Sequence, residues 1–297
     1  MFNLGNSTWS SVSVTGSITA RWTHTATLYG SVIYVLGGAS SNGALNDVQK
    51  FDIATNTWTP VSTIGSYGTR CLHTATLFGS AIYVIGGYSG SAFLNDVMKF
   101  DIPSSTWTTI SYTGTFTARE AHTAVLYGNI IYIMGGSNGN YLNDVLKFDV
   151  NTNTFTTVSY TGSFAARGYH LSFLNDGIIY VVSGKPSSGY YTDLLAYTIA
   201  TQSWSPVSFT GSYTGRDFTA GVLYNNDIYG IAGSDGAVLS DIFKITVLPA
   251  GTITTTTTTT TIVTTTTLLL LPLLLLYYHY FYYYHYFYYH YYYHYHH

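Results

Sequence analysis

The stretch RWTHTATLYGSVIYVLGG, residues 21–38, carries the pattern that decides the fold. Its two apolar runs, TATLY and VIYVL, are rich in β-branched and aromatic residues and are separated by a short Gly-containing turn, which predicts a β-hairpin. The glycine pair Gly37-Gly38 ends the second run. After a polar loop, NDVQKFD and ATNTWTPVS supply two further strands, and nothing in the stretch has helical periodicity. The unit therefore predicts four antiparallel strands.

The same pattern occurs five times. Each unit opens on an arginine, at spacings of 49, 49, 48 and 49 residues: Arg21, Arg70, Arg119, Arg167 and Arg216. A histidine follows three residues later in four units (His24, His73, His122 and His170), and Thr219 takes its place in the fifth. An aspartate follows each glycine pair: Asp47, Asp96, Asp144, Asp193 and Asp241. Each unit closes on an aromatic residue: Trp9, Trp58, Trp107, Phe155 and Trp204. Four-stranded units repeated around an axis form a β-propeller, so the sequence predicts an all-β fold of five blades.

The repeated motifs resemble a known family. IYVLGG, LNDV, KFD and the trailing Trp, at a period near 50, are similar to kelch repeats over residues 7–248. The resemblance implies a propeller whose loops line a binding face. The glycine pair is reduced to Ser183-Gly184 in the fourth unit and to Ala232-Gly233 in the fifth.

The two ends of the repeat region predict how the ring closes. The chain opens on a lone fourth strand with Trp9, and the fifth unit stops after its third strand, DIFKITV. We therefore expect residues 7–13 to pair with residues 240–247, so that the N-terminal strand completes the last blade and leaves no open sheet edge. A fragment of a larger ring is the alternative, because kelch rings more often have six or seven blades.

The charge inventory excludes several functions. With 10 basic and 13 acidic residues the net charge is −3, which leaves no basic excess for nucleic acid. The single cysteine, Cys71, cannot form an internal disulfide. Glu120, the only glutamate, is followed four residues later by Ala124, so the Glu-x-x-x-Asp-x-x-x-His iron triad of some kelch-like specifier proteins is absent. The copper radical site of kelch-type galactose oxidase is not expected either, and no cofactor or metal is predicted.

Two sets of residues are candidates for ligand binding. The five arginines could clamp a carboxylate or phosphate at the mouth of the propeller, or could pair with the periodic aspartates. The loops between the glycine pair and the aspartate are rich in Tyr, Ser, Gly and Asn, as binding loops are. Their blade-specific aromatic residues are predicted to set specificity: Tyr88, Phe93, Tyr141, Tyr190 and Tyr191. The periodic histidines and aspartates are interpreted as structural.

These features favour a non-enzymatic interaction module that binds a protein, a peptide or a small polar ligand on the loop face, and we expect a monomer. An enzyme of small-molecule or carbohydrate metabolism is the first alternative; no catalytic residue is predicted, although Glu120 and Asp217 occupy equivalent positions and could act together. A cell-surface adhesion-type protein on a Thr-rich stalk is the second. No secretory signal is visible after Met1, so a cytoplasmic location is expected, with an extracellular one as the alternative.

Residues 250–297 differ from the propeller predicted for residues 1–249. They contain a Thr run, a Leu run with one Pro, and then only Tyr, His and Phe, without any charged residue. Such low-complexity sequence predicts a disordered tail, and its apolar part is too short for an expected membrane span. Its six histidines could bind zinc or nickel adventitiously. One hypothesis is that a DNA triplet repeat is read in three successive frames, since ACT and ACC codons would give Thr, then Leu and Pro, then Tyr and His.

Overall fold

A computed structural model describes residues 2–3, 8–248 and 269–270 of the chain. In these residues all regular secondary structure is β. The strands, in chain order, are β1 (Phe2–Asn3), β2 (Thr8–Trp9), β3 (Thr25–Tyr29), β4 (Val32–Leu36), β5 (Ala39–Ser40), β6 (Gly43–Ala44), β7 (Val48–Asp52), β8 (Thr57–Pro60), β9 (Thr74–Phe78), β10 (Ala81–Ile85), β11 (Val97–Asp101), β12 (Thr106–Thr109), β13 (Thr123–Tyr127), β14 (Ile130–Met134), β15 (Val145–Asp149), β16 (Thr154–Thr157), β17 (Leu171–Asn175), β18 (Ile178–Val182), β19 (Leu194–Thr198), β20 (Ser203–Pro206), β21 (Phe209–Thr210), β22 (Ala220–Tyr224), β23 (Asp227–Ser234), β24 (Val238–Val247) and β25 (Leu269–Leu270).

Twenty of these strands form five antiparallel blades. The first four blades have the orders β3-β4-β7-β8, β9-β10-β11-β12, β13-β14-β15-β16 and β17-β18-β19-β20, and the fifth has the order β22-β23-β24-β21. The register within each hairpin repeats from blade to blade: Leu36 pairs with Val48 in the first blade, and Met134 pairs with Val145 in the third. The prediction of five four-stranded blades in an all-β propeller is confirmed.

The core lies between neighbouring blades, because the sheets pack face to face. Ile85 and Val97 of the second blade pack with Ile133 and Phe148 of the third in one buried cluster. Each such side chain contributes roughly 2 kcal/mol by leaving water. The central strands β10 and β14 are mostly buried because both faces of the sheet are covered.

In the second, third and fourth blades, aromatic stacking fixes the fourth strand to the linker that leads into the same blade. Tyr67 stacks on Trp107 with ring centroids 4.1 Å apart, and Phe164 stacks on Trp204 at 4.4 Å. Trp204 is 4% exposed. This packing explains why an aromatic residue recurs at the end of each unit.

The predicted closure by the N-terminal strand is wrong. β2 pairs with β1, with Phe2 opposite Trp9, and β1 also pairs with β25. Trp9 is 48% exposed, in contrast to the buried Trp204. The edge of β24 is instead occupied by β21, with Phe209 opposite Val247.

Local packing explains why β21 completes the fifth blade. In the earlier blades the equivalent linker pairs with the next blade's fourth strand, as Thr161 does with Ser203, whereas in the fifth blade it pairs directly with the third strand. Tyr213 then stacks on Phe243 at 4.6 Å, where the earlier blades use a fourth-strand aromatic. Phe243 has room because it lies over Gly230: a Cβ on Gly230 would come within 2.2 Å of the Phe243 ring atom Cε1.

The inner strands connect the blades in series. The first strand of each blade contacts the first strand of the next: β3 contacts β9, β9 contacts β13, β13 contacts β17, and β17 contacts β22. The two ends of this series, β22 and β3, have no comparable contact among the described residues.

The described residues contain no helix long and apolar enough to cross a membrane. Residues 249–268 and 271–297, which hold nearly all of the predicted low-complexity tail, lie outside the described residues.

Candidate ligand-binding site

Each periodic arginine forms a buried clamp with the periodic aspartate of its own blade. Arg21 donates to both carboxylate oxygens of Asp47, at 2.6 and 2.7 Å, and also to the backbone oxygens of Gly37 and Thr19. Arg70, Arg119, Arg167 and Arg216 make the same bidentate pair with their aspartates. Because the carbonyl of Gly37 and the carboxylate of Asp47 flank the variable loop, the clamp fixes both ends of that loop.

Of the two roles that the sequence left open for the arginines, the structure shows pairing with the periodic aspartates. All five are at most 2% exposed, and their guanidinium groups are directed at protein acceptors. A bidentate Arg–carboxylate pair of this kind leaves little capacity for a ligand. The predicted ligand contact of Arg21, Arg70, Arg119, Arg167 and Arg216 is not supported by this geometry.

The periodic histidines connect neighbouring blades. The Nε2 atom of His73 lies 2.9 Å from Oγ1 of Thr25, and His122 and His170 make the equivalent contacts with Thr74 and Thr123. Burial, together with the nearby Arg119, lowers the pKa of His122 to about 3, so this imidazole is neutral at physiological pH. In the fifth blade Thr219 replaces the histidine, and Leu171 stands where its threonine partner would be.

A strained backbone position marks the inner mouth of every blade. The second residue after each arginine has a positive φ between 51° and 57° although it is not glycine: Thr23, Leu72, Ala121, Tyr169 and Phe218. Backbone hydrogen bonds link this position around the axis, from the Leu72 N–H to the Thr23 oxygen and from the Ala121 N–H to the Leu72 oxygen. Left-handed non-glycine residues persist only where the surrounding structure imposes them, and they cluster at functional sites.

The residue directly after each arginine differs in every blade, and we call it the mouth position: Trp22, Cys71, Glu120, Gly168 and Asp217. It forms an antiparallel bridge with the first residue after the glycine pair, which we call the partner position: Ala39, Tyr88, Ser137, Lys185 and Ser234. These ten residues combine a fixed backbone arrangement with side chains that differ from blade to blade, except that the partner position is serine in both the third and the fifth blade. The clamp beneath them is the same in every blade, so the mouth is where the blades can differ chemically.

A hollow of about 200 Å³ opens at the mouth over the first three blades. The aromatic residues Trp22 and Tyr88 line it together with Cys71, Leu72 and Glu120. Small residues of the first two variable loops complete its wall: Ala39, Ser40, Gly43, Ala44 and Gly90. Its lining is mainly apolar, with one ionisable carboxyl group, which is typical of a small ligand-binding site.

The hollow lies where a position that is aromatic in three blades carries a small residue. Three residues before each clamp aspartate lies what we call the cover position: Ala44, Phe93, Tyr141, Tyr190 and Val238. The Tyr141 ring lies against Gly168, the mouth residue of the next blade, where an added Cβ would be 3.1 Å from Cε1 of Tyr141. In the first blade this position is Ala44, whose small side chain lines the hollow beside the next mouth residue, Cys71.

The predicted specificity aromatics divide into two groups. Tyr88 lines the hollow, and Phe93 packs on it with ring centroids 5.5 Å apart. Tyr141 covers Gly168, and Tyr190 lies beneath the Lys185 ammonium group, 5.7 Å from its ring centroid. Tyr191 covers the buried Arg167 guanidinium at 3.8 Å, which is a structural contact. Of the five, only Tyr88 lines the hollow.

Glu120 is the ionisable carboxyl group of the hollow. It is 5% exposed, and burial raises its pKa to about 7, while a hydrogen bond from the Tyr169 hydroxyl to Oε1, at 3.2 Å, acts in the opposite direction. Burial also raises the pKa of the Cys71 thiol, and the neighbouring Glu120 adds to that effect. The thiol is thus in its neutral, weakly nucleophilic form at physiological pH.

Asp217 occupies the same mouth position in the fifth blade but has a cation beside it. The Lys185 ammonium group, from the partner position of the fourth blade, lies 3.8 Å from Oδ2 of Asp217. Burial raises the pKa of Asp217 to about 7, and Lys185 partly offsets this. No described pair or hydrogen bond brings Glu120 and Asp217 together.

Sequence reasoning missed Trp22 and Ala44. Both lie in positions of the repeat that vary between blades, so aligning the units at these two positions would have indicated them. No cluster of three or more metal-ligating side chains occurs among the residues that the structure describes.

Fold and site together define a β-propeller repeat protein that presents non-repeating side chains at the mouth of a repeated scaffold. The sequence profile of the KLHDC2/KLHL20/DRC7 Kelch-repeats domain matches residues 1–167 and 72–249. The chain belongs to the kelch-repeat family. No curated protein matches it as a relative. The kelch propeller supports a general role as a protein-interaction module.

Proposed function

We propose that this protein is a non-enzymatic interaction module that binds a protein or peptide partner at the loop face, with one partner side chain inserted in the hollow between Trp22 and Tyr88. The hollow, which lies where the small residue Ala44 occupies the cover position, is the observation that carries the proposal. Its wall contains two aromatic residues, and aromatic residues dominate the energetics of binding hot spots.

The scaffold supports this role because it holds the loops rigidly. The buried clamps fix both ends of each variable loop, and the bridges at the mouth position fix the first residue of the loop. A preorganised site loses less conformational entropy on binding. The binding unit in this proposal is residues 1–249, and the tail has no part in it.

The test is a matched pair of cover-position variants, measured against peptides selected from a random library on the wild-type protein. Ala44→Tyr should restore the aromatic cover of the repeat, fill the hollow and reduce peptide affinity at least tenfold. Val238→Tyr makes a similar change at the same position of the fifth blade, where the side chain is 44% exposed, and should leave affinity unchanged.

Two outcomes would contradict the proposal. One is equal binding by the wild type and Ala44→Tyr, with both proteins melting at the same temperature. The other is an equal loss in Ala44→Tyr and Val238→Tyr. A chain truncated after residue 249 serves as a further control, and should bind as the full chain does.

A further inference from the structure

The mouth positions form a set in which two blades carry a buried carboxyl group. Glu120 in the third blade and Asp217 in the fifth are both at most 5% exposed. A charged carboxylate is costly to bury unless a cation or hydrogen-bond donors compensate it. What lies beside each carboxyl group therefore indicates what the site can bind.

The fifth blade supplies its own cation. Lys185 stands at the partner position of the fourth blade, and its side chain reaches the mouth residue of the next blade, Asp217. Tyr88 is the partner position of the second blade, and Glu120 is the mouth residue of the next blade, so the two residues stand in the repeat as Lys185 and Asp217 do. Both Tyr88 and Glu120 line the hollow. An aromatic ring thus occupies the place from which a lysine approaches Asp217.

No cation of the described chain compensates Glu120. Ion pairs engage Lys185 and Lys244, and the five arginines are in their clamps. None of these pairs involves Glu120, whose hydrogen bond comes from the Tyr169 hydroxyl. The nearest clamp arginine in sequence, Arg119, is bound to Asp144.

We infer that the hollow is a cation site that takes an alkylammonium group, such as a lysine side chain of the partner, between the carboxylate of Glu120 and the aromatic faces of Trp22 and Tyr88. Carboxylate and aromatic ring faces both attract an ammonium ion, and the attraction is stronger where water is excluded. The apolar wall from Leu72, Ala39 and Ala44 suits the methylene stem of a lysine. This inference rests on the proposed function and names the chemistry of the inserted group.

Binding should depend on pH through Glu120. The titratable groups around it are Cys71, Tyr88, Tyr169 and Arg119. Burial raises the pKa of the Cys71 thiol, so this group stays neutral at pH 6–8. Only the ionised carboxylate attracts the cation strongly. With a Glu120 pKa of about 7, affinity for an ammonium probe should rise about tenfold from pH 6 to pH 8.

The probe is Nα-acetyl-lysine N-methylamide, and its affinity for the full chain is measured by calorimetry at pH 8. The same compound acetylated on Nζ is the uncharged control. Glu120→Gln should reduce probe affinity at least tenfold. Tyr88→Lys should place a resident ammonium group beside Glu120, as Lys185 stands beside Asp217, and should also abolish binding. Tyr88→Phe keeps the ring and should bind the probe nearly as the wild type does.

Each result supports or overturns the inference. It is overturned if the acetylated and free probes bind equally, if Glu120→Gln binds as the wild type does, or if affinity is the same at pH 6 and pH 8. Should Tyr88→Lys fail to fold, the Glu120→Gln comparison decides alone, since that change keeps the shape of the side chain.

The two proposals fail separately. If Ala44→Tyr abolishes binding of the selected peptides but Glu120→Gln leaves both peptide and probe affinity intact, the hollow is a binding site of another chemistry. If Ala44→Tyr leaves peptide binding intact while the probe binds through Glu120, the cation site exists and the peptide surface lies elsewhere.

Discussion

The third and fifth blades are built from the same repeat but differ in three structural features. Both have the Arg–Asp clamp, Arg119 with Asp144 and Arg216 with Asp241. The third blade adds a histidine contact to the blade before it and a stacked fourth strand, whereas the fifth has Thr219 and the short strand β21. At the mouth, Asp217 has Lys185 beside it, whereas no ion pair within the described part of the chain involves Glu120. The comparison teaches that the clamp is the scaffold common to all blades, while the mouth carries what is specific to each.

Breaking the clamp should have the largest effect, and it should be larger in the third blade. Arg119→Ala leaves Asp144 without its buried partner and should lower the free energy of unfolding by about 3–5 kcal/mol. Arg216→Ala should cost less, because the Asp241 side chain is 52% exposed against 31% for Asp144 and water can replace the lost partner. Denaturant unfolding measures both changes. A larger loss in Arg216→Ala would contradict the comparison.

The buried carboxyl group of Glu120 should make stability depend on pH. Its folded-state pKa, about 7, lies above the reference value of 4.5, so the folded protein holds a proton that the unfolded chain has lost. Glu120 therefore destabilises the fold progressively from about pH 4.5 to pH 7. Relative to the wild type, Glu120→Gln should gain about 3 kcal/mol between pH 4 and pH 8, since one pKa unit is about 1.4 kcal/mol.

The same measurement on the fifth blade sharpens the comparison. Asp217→Asn should gain stability in the same direction, but part of the gain is lost because Lys185 is left without its carboxylate. The neutral histidines contribute equally to wild type and variants, so they cancel in these differences. A flat difference between wild type and Glu120→Gln across this pH range would refute the burial argument.

The contact between blades gives the smallest of the three effects. Thr74→Val removes the hydroxyl partner of His122 and should cost about 1–2 kcal/mol, because a buried imidazole nitrogen loses its hydrogen bond. Thr219→Val is the comparison in the fifth blade, where Thr219 holds the histidine's place and its Oγ1 is buried without a hydrogen-bond partner among the described residues. It should be neutral or slightly stabilising. Thermal unfolding of the two variants tests the contrast, and equal losses would contradict it.

The repeat spacing was sufficient to predict the blades because each unit repeats its strand pattern and its glycine pair. Closure could not be predicted from that spacing. The pairing of Phe209 with Val247 is local in sequence, and it takes the edge of β24 that the N-terminal strand was expected to occupy. The fifth blade combines Gly230 with Phe243, and this combination lets the blade pack without a tryptophan in a fourth strand. A comparison of the five units for pairs of residues that change together, such as Gly230 and Phe243, would have indicated this different closure.

The candidate site was predictable only in part. Tyr88 stood out because its loop differs between blades, and Glu120 because it is the only glutamate. The arginines were ambiguous, since a periodic cation suits a ligand mouth and an internal ion pair equally well. The hollow could not be predicted, because it depends on the volume of one side chain. Ala44 is small where the other blades have larger cover residues, and amino-acid composition does not reveal such a gap.

The most direct test of the cation site compares the two mouth carboxyl groups inside one molecule. The ¹³C signals of the Glu120 and Asp217 side chains are followed by NMR at pH 7 while Nα-acetyl-lysine N-methylamide is added. The account predicts a saturable shift of the Glu120 carboxyl signal toward its ionised position, with Asp217 nearly unchanged because Lys185 already lies beside it. Equal shifts of both signals, or a shift of Asp217 alone, would contradict the account.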